Sequence, residues 1–329
     1  MADEIFKDVD SAFDRNLRPK KLGDFIGQDR IKKSLAIFLQ ATKQREEPLE
    51  HVLFHGPPGI GKTTLAHIIG SEMEANVKVT SGPAIERVAD LAAILTSLED
   101  RDILFIDEIH RLHRHIEEIL YPAMEEGKID LVVGKGPSAQ VLRLDLPNFT
   151  LIGATTKFAS LSSPLRDRFG IVYRLNFYEE ADIKKIIKRS AQILDIEIDQ
   201  AAIDELASRS RFTPRIANRL LKRVRDFAQI ENKNKINEAL AKTSLDTLEI
   251  DEQGLDDLDR KILEMILTKF SGGPVGINAL ASAIGEDRVT LEEVYEPYLM
   301  QLGFLERTPK GRMVSRKARD HLKNNRFSF

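Results

Sequence analysis

The sequence predicts an α/β chain in three parts: a parallel sheet flanked by helices, a small all-helical domain, and a C-terminal winged helix. Three observations carry this. Short apolar runs alternate with helical patterns through the first half, which is the signature of strands joined by helical crossovers. Between Glu179 and Leu248 only helical spacing is found, as in K-K-I-I-K-R-S-A-Q-I-L and R-I-A-N-R-L-L-K-R-V. Near the C-terminus a helix–turn–helix pattern is followed by a strand–turn–strand, F-L-E-R-T-P-K-G-R-M-V-S. The domains are expected at 1–178, 179–254 and 255–329.

The strands come first. V-L-F at 52–54, V-K-V-T at 77–80, I-L-F-I at 103–106 and F-T-L-I-G-A at 149–154 read as buried strands, separated by amphipathic segments such as T-L-A-H-I-I-G-S-E-M. Residues 129–146, I-D-L-V-V-G-K-G-P-S-A-Q-V-L-R-L-D-L, read as a β-hairpin inserted in that series. The acidic stretch E-I-D-E-Q-G-L-D-D at 249–257 reads as a linker. With 42% apolar and 31% charged residues, the chain has a soluble globular balance. It has no cysteine, which excludes disulfides, thiolate metal sites and a cysteine nucleophile. M-A-D-E-I-F-K-D lacks an apolar signal core and no run reaches a membrane span, so a cytoplasmic protein is expected. The net charge of −3 requires any nucleic-acid surface to be local.

The chemistry begins at H-G-P-P-G-I-G-K-T-T, residues 55–64, which contains G-x-x-x-x-G-K-T between a strand and a helix. By chance the bare pattern arises in roughly 1% of chains this long, and its context lowers that further. Gly56, Gly59 and Gly61 let backbone N–H groups turn towards phosphates, and the helix N-terminus adds partial positive charge. Lys62 reaches the β- and γ-phosphates, Thr63 ligates Mg²⁺, and Thr64 joins the ATP-binding set. The next motif, D-I-L-F-I-D-E-I-H at 102–110, ends a strand in two acids. Alone that is commonplace. After a phosphate loop, Asp107 suits the Mg²⁺ shell and Glu108 the polarisation of an attacking water. Thr156, at the end of G-A-T-T, is placed to orient that water or sense the γ-phosphate. In T-P-R at 213–215, Thr213 fits an N-cap and Pro214 the first helical position, leaving Arg215 where the helix dipole disfavours a cation unless an anion is bound.

Together these motifs resemble the AAA+ ATPases. L-R-P-K-K-L-G-D-F-I-G-Q, G-P-P-G-I-G-K-T-T-L-A, L-F-I-D-E-I-H-R-L, L-Y-P-A-M-E, I-G-A-T-T, S-P-L-R-D-R-F-G and R-T-P-K-G-R are similar, across essentially the whole chain, to the RuvB family of bacterial Holliday-junction branch-migration motors. That resemblance implies an ATP-driven DNA translocase (ADP as product) acting in homologous recombination and DNA repair. It implies a homo-hexameric ring on duplex DNA, working with RuvA, docked by the hairpin 129–146, and with RuvC. Arg168 matches the family's arginine finger, which reaches a neighbour's nucleotide, with Arg166 as second candidate. Leu17, Arg18 and Tyr178 would frame adenine and ribose, and Arg215 would be the sensor arginine of the helical lid. Ile60 stands where leucine is usual, Lys157 where arginine is, and Gly127 where relatives often carry an aromatic.

Residues 307–329 hold eight Lys or Arg against one acid. Arg288, opening the second helix of the winged-helix pattern, and Arg307 and Arg312, beside the wing tip T-P-K-G, are the expected DNA contacts. They can reach phosphates but offer little base code. Two other classes fit parts of the pattern. An initiator- or clamp-loader-type ATP switch would bind DNA without moving it, though clamp loaders commonly carry Ser-Arg-Cys at the finger. A non-catalytic adaptor is disfavoured by the intact Lys62, Asp107 and Glu108.

Overall fold

The computed structural model describes residues 16–133, 140–231 and 235–324. It divides into two compact units, Arg18–Asn176 and Met1–Leu17 with Phe177–Phe329. In the first, β1 (Val52–His55), β2 (Val77–Ser81), β3 (Ile103–Asp107), β6 (Thr150–Thr155) and β7 (Ile171–Arg174) form a parallel sheet in the order β2-β3-β6-β1-β7. The antiparallel pair β4 (Lys128–Val133) and β5 (Gln140–Asp145) stands apart from it as the expected hairpin, whose turn lies outside the described residues. Ile129 is fully buried, whereas Val141 and Leu142 on β5 are exposed.

β1, β3 and β6 are the apolar runs, and they are buried as expected of strands covered on both faces. β2 is not: it forms the sheet edge, is half-buried, and exposes Val79. β7 completes the other edge; its I-V-Y-R alternates buried and exposed positions too briefly to read as a strand from sequence. The helices of this unit are α1 (Asp29–Arg45), α2 (Lys62–Met73), α3 (Val88–Thr96), α4 (Arg114–Glu125) and α5 (Ser163–Asp167). In α1 the buried Ile31, Leu35, Leu39 and Thr42 lie three or four residues apart, one face of the helix. The core joins Leu104, Ile106 and Leu151 of the sheet to Leu91 and Leu95 of α3 and Ile116 and Leu120 of α4.

The second unit opens with α6 (Glu180–Ile193), α7 (Gln200–Ser208), α8 (Pro214–Ile230) and α9 (Glu238–Thr247). This segment is not wholly helical: β8 (Glu197–Ile198) pairs in parallel with β9 (Lys235–Ile236). Thr213 holds the N-cap of α8, but its hydroxyl donates to the Ser210 carbonyl rather than capping the helix. Next come α10 (Asp257–Lys269), α11 (Ile277–Ile284), α12 (Arg288–Thr290, then a π-helical turn Leu291–Tyr295 and Glu296–Gln301) and α13 (Arg316–Asn324). The wing is β10 (Leu305–Thr308) against β11 (Gly311–Val314). The acidic stretch 249–257 is not a solvated linker. Ile250, Asp251, Leu255 and Asp256 are buried, and the Asp251 carboxylate accepts from Gln253 N, Leu255 N and pairs with His321 of α13. Apolar residues set between the acids fold the stretch inward, and each buried acid then meets a donor.

Gly82 follows β2 with no room for a side chain, since a Cβ there would lie 2.5 Å from the Glu108 carbonyl oxygen. Gly82→Ala should therefore lower the stability of this unit by ~1–3 kcal/mol, as overpacked sites do. Thermal unfolding of the variant checks this; an unchanged midpoint would mean that the Glu108 backbone yields freely.

Candidate nucleotide and nucleic-acid sites

β1 delivers the chain to the loop and α2 carries it away. Gly56, at φ +144°, passes so close to β7 that a Cβ would lie 2.3 Å from the Leu175 carbonyl oxygen. Gly59 and Gly61 also have positive φ, and Ile60 between them is fully buried, anchoring the loop from beneath. The Lys62 ammonium is tucked into the loop, donating to the carbonyls of Gly56 (2.8 Å) and Pro57 (2.7 Å). Burial lowers its pKa to about 8, against the opposing pull of Asp107 and Glu108. Thr63 Oγ1 donates to Asp107 Oδ2 at 3.4 Å. Thr64 is half-buried in the first turn.

Asp107 ends β3, and its Oδ1 accepts from Glu108 N–H at 2.9 Å. Glu108 takes the left-handed conformation, φ 47°, that turns the chain into the 3₁₀ segment Ile109–Arg111. Such an outlier in a non-glycine residue is held by its surroundings. The Glu108 side chain is 37% exposed and pairs with Arg111 at 3.2 Å, a surface ion pair worth ~0–1 kcal/mol, so the carboxylate is available for other work. On β6, Thr155 Oγ1 hydrogen-bonds His110 Nδ1 (2.9 Å) and accepts from Lys157 N–H (2.9 Å). Thr156 Oγ1 is buried with no hydrogen-bond partner among the described residues. The structure thus brings Lys62, Thr63, Asp107, Glu108 and Thr156 together at the strand ends of one sheet.

Arg168 caps the end of α5 and is held within its own unit. Nη1 donates to the Pro164 carbonyl (2.7 Å), Nη2 to Glu125 Oε2 (3.1 Å), and the guanidinium lies 4.3 Å from the Tyr121 ring centroid. Glu125, Asp167 and Arg168 line an open cleft of about 760 Å³. Arg166 is held more loosely, by Ser163 Oγ and the face of Phe158. Sequence reasoning missed Tyr121 and Glu125 as partners of Arg168. Their four-residue spacing on α4 puts them on one face, which was the available signal.

Arg18 belongs to the unit of the phosphate loop, and Leu17, Tyr178 and Arg215 to the other. Leu17 is buried and its carbonyl accepts from Arg189. Tyr178 is buried, its N–H donating to the Phe212 carbonyl at 3.0 Å. Burial, reinforced by the charge of Arg219, lowers the Arg215 guanidinium to about 10. Arg219, one turn along α8, is a second cation that the motif reading passed over.

In the winged helix, Arg288, Arg307 and Arg312 all meet Glu292, at 3.3, 3.9 and 3.0 Å. Burial works to raise the Glu292 pKa, but Arg288 and Arg312 outweigh it and hold the carboxyl below its usual range. Arg288 and Arg307 are exposed, as is Lys310 at the wing tip. Arg312 departs from expectation: it is 6% exposed, bound to Glu296 at 2.5 Å as well as to Glu292, and so braces the wing instead of facing outward. Arg326 lies outside the described residues.

Among the described residues no helix is long and apolar enough to cross a membrane. The family model for the Holliday junction DNA helicase RuvB P-loop domain matches residues 17–175, that for the RuvB AAA lid domain residues 178–251, and that for the RuvB C-terminal winged helix domain residues 252–323. The Holliday junction branch migration complex subunit RuvB of Dehalococcoides mccartyi (strain CBDB1) is 59% identical over 313 residues, 95% of this chain and 90% of that one. The Thermotoga maritima RuvB Holliday junction branch migration motor superposes with a TM-score of 0.87 at 53% identity, over 94% of this chain and 98% of that one. A single-substitution variant of the Thermotoga protein gives 0.88 at the same identity, over 93% and 98%. These matches do not favour an initiator- or clamp-loader-type switch. The chain belongs to the RuvB family of ATP-dependent Holliday junction DNA helicases, with an AAA+ P-loop domain, a lid and a winged helix.

Proposed function

We propose that this chain drives branch migration of four-way DNA junctions as a homo-hexameric ring on duplex DNA, with ATP sites shared between neighbouring subunits. The observation that carries the proposal is the convergence of Lys62, Thr63, Asp107, Glu108 and the Thr156 hydroxyl, unpartnered among the described residues, at the strand ends of the sheet. In this reading Lys62 exchanges the Gly56 and Pro57 carbonyls for β- and γ-phosphate oxygens. Gly56, Gly59, Gly61 and Thr64 complete the cradle. Leu17, Arg18 and Tyr178 frame the base and ribose, and Arg215 reads the phosphates from the lid.

Thr63 and Asp107 offer hydroxyl and carboxylate oxygens 3.4 Å apart, hard donors that suit Mg²⁺ shared with phosphates and water. When bound, Mg²⁺ neutralises charge between the β- and γ-phosphates. Glu108 accepts a proton from the attacking water as its oxygen bonds to the γ-phosphorus. The bond to the β–γ bridging oxygen breaks, and ADP and phosphate leave. Thr156 orients the water. A neighbour's Arg168 stabilises the charge spreading over the transferred group, an effect worth about 10³–10⁵ in rate. Arg166 is the second candidate for that finger. The exposed Val141 and Leu142 on β5 suit a RuvA-type partner, and RuvC would join the same assembly. Arg288, Arg307 and Lys310 supply the phosphate contacts, with Arg312 behind them. Recombination and repair in the cytoplasm are the corresponding setting.

The reading is tested by ATP- and Mg²⁺-dependent migration of a synthetic four-way junction. Glu108→Gln should retain ATP binding within about threefold while turnover falls by about 10²–10⁴, the usual contribution of a general base. Full turnover in that variant would remove Glu108 from the chemistry. Phosphates favour the charged form of Lys62, so binding above pH about 8 requires proton uptake. ATP affinity should hold below that pH and weaken above it, by at most about tenfold per unit. Calorimetry in buffers of different ionisation enthalpy reads the uptake directly, and no uptake at pH 9 would contradict it. In DNA binding, Arg307→Ala and Lys310→Ala should each lower the salt slope by about one. Arg312→Ala should instead destabilise the wing.

A further inference from the structure

The turn before α8 holds two consecutive non-glycine residues in the left-handed region, Arg211 and Phe212, both at φ 54°. Two such residues in succession persist only where side chains over-determine them. Here both are planted in the winged helix. Arg211 Nε donates to the Gly254 carbonyl (2.9 Å), and Nη2 meets Asp259 (2.5 Å) and Asp256 (3.1 Å). Those two carboxylates are the reciprocal cap of α10, each also accepting the other's backbone N–H. The Arg211 guanidinium lies 5.2 Å from the Tyr298 ring centroid on α12. Phe212 packs on the winged-helix core, 6.2 Å from the same ring. Arg211, Asp256 and Asp259 are all at most 5% exposed. Gly254 permits the approach, since a Cβ there would lie 2.6 Å from the Arg209 carbonyl oxygen.

The same turn also carries groups of the proposed nucleotide site. The Phe212 carbonyl accepts from Tyr178 N–H, and three residues on stands Arg215. We propose that Arg211 is a positioning residue that welds the nucleotide-reading turn of the lid to α10 and α12, so that Tyr178, Arg215 and the DNA-facing winged helix move as one lever. The inference rests on the proposed ATP and DNA roles of those groups. Had the winged helix been tethered by a free linker, a shift at Arg215 would be absorbed before it reached the wing. The buried, multiply bonded arginine leaves no such slack.

The test is the coupling between nucleotide and DNA in the full chain. Duplex affinity is measured with a non-hydrolysable ATP analogue and Mg²⁺, with ADP, and without nucleotide. Wild type should bind duplex more tightly with the analogue than with ADP, by a factor in the usual allosteric range of about 5–150. In Arg211→Met/Asp256→Asn/Asp259→Leu the buried charges are replaced together, a change that buried ion clusters commonly tolerate. There the factor should fall below about two, while nucleotide-free duplex affinity stays within about threefold. A merely structural role would lower the melting temperature and both affinities and leave the ratio alone. An unchanged factor in the folded variant would overturn the proposal. If the triple variant does not fold, Arg211→Lys is read in its place: the charge stays, the planar fork is lost, and the factor should fall at least about threefold. A wild-type factor near one would instead overturn the ATP-to-DNA reading beneath the inference.

Discussion

The parallel ladder β1–β6–β3 is the constraint on which the rest of the nucleotide site depends. His55 pairs with Thr155 across one side of β6, and Ile106 with Gly153 across the other. That register brings the start of the phosphate loop, the Asp107–Glu108 pair and Thr156 to the same end of the strands. A slip of a single residue would turn the strand-end side chains to the opposite face. β6, buried along its whole length, is the fixed member, and the loop is then shaped by contact. Gly56 grazes the Leu175 carbonyl, Ile60 is buried beneath, and Lys62 is gripped by two loop carbonyls.

Two buried cations, Lys62 and Arg211, are central to the proposed roles. Lys62 and Arg211 are each at most 8% exposed, and each is satisfied by short bonds within the chain. They differ in what holds them. Among the described residues Lys62 donates to carbonyls alone, neutral partners that phosphate oxygens would outcompete. Arg211 is held by carboxylates, and breaking such a pair is strongly destabilising. The first arrangement suits exchange and the second permanence. Arg168 falls between: one carbonyl, one exposed carboxylate and an aromatic face keep it oriented, partners that a stronger anion could displace.

Much of this was legible in the sequence because it is local. The loop, the strand ending in Asp-Glu and the hairpin are each written in under twenty consecutive residues, and the winged-helix pattern in one unbroken stretch, 277–315. What was not legible is long-range. Residues 249–257 looked like a linker because five acids and a glycine suggest solvent, yet their partners, Arg211 and His321, stand about 45 and 70 residues away in the chain. Arg312 looked like a DNA contact for the same reason: Glu296, which buries it, lies on another element. β7 was missed because an edge strand of four residues has too few alternations to register. Charge density marks an outward-facing surface only when the opposing charges are also counted, and their placement is a property of the fold.

The most direct measurement is the steady-state ATPase of wild type, Glu108→Gln, Arg168→Ala and an equal mixture of the two variants, with duplex DNA present. Each variant keeps the half of the site that the other lacks. Sites shared between subunits predict that each variant is nearly inactive alone and that the mixture regains turnover. Near-wild-type turnover in Arg168→Ala alone, or a mixture as inactive as its parts, would contradict a site completed by the neighbour's Arg168.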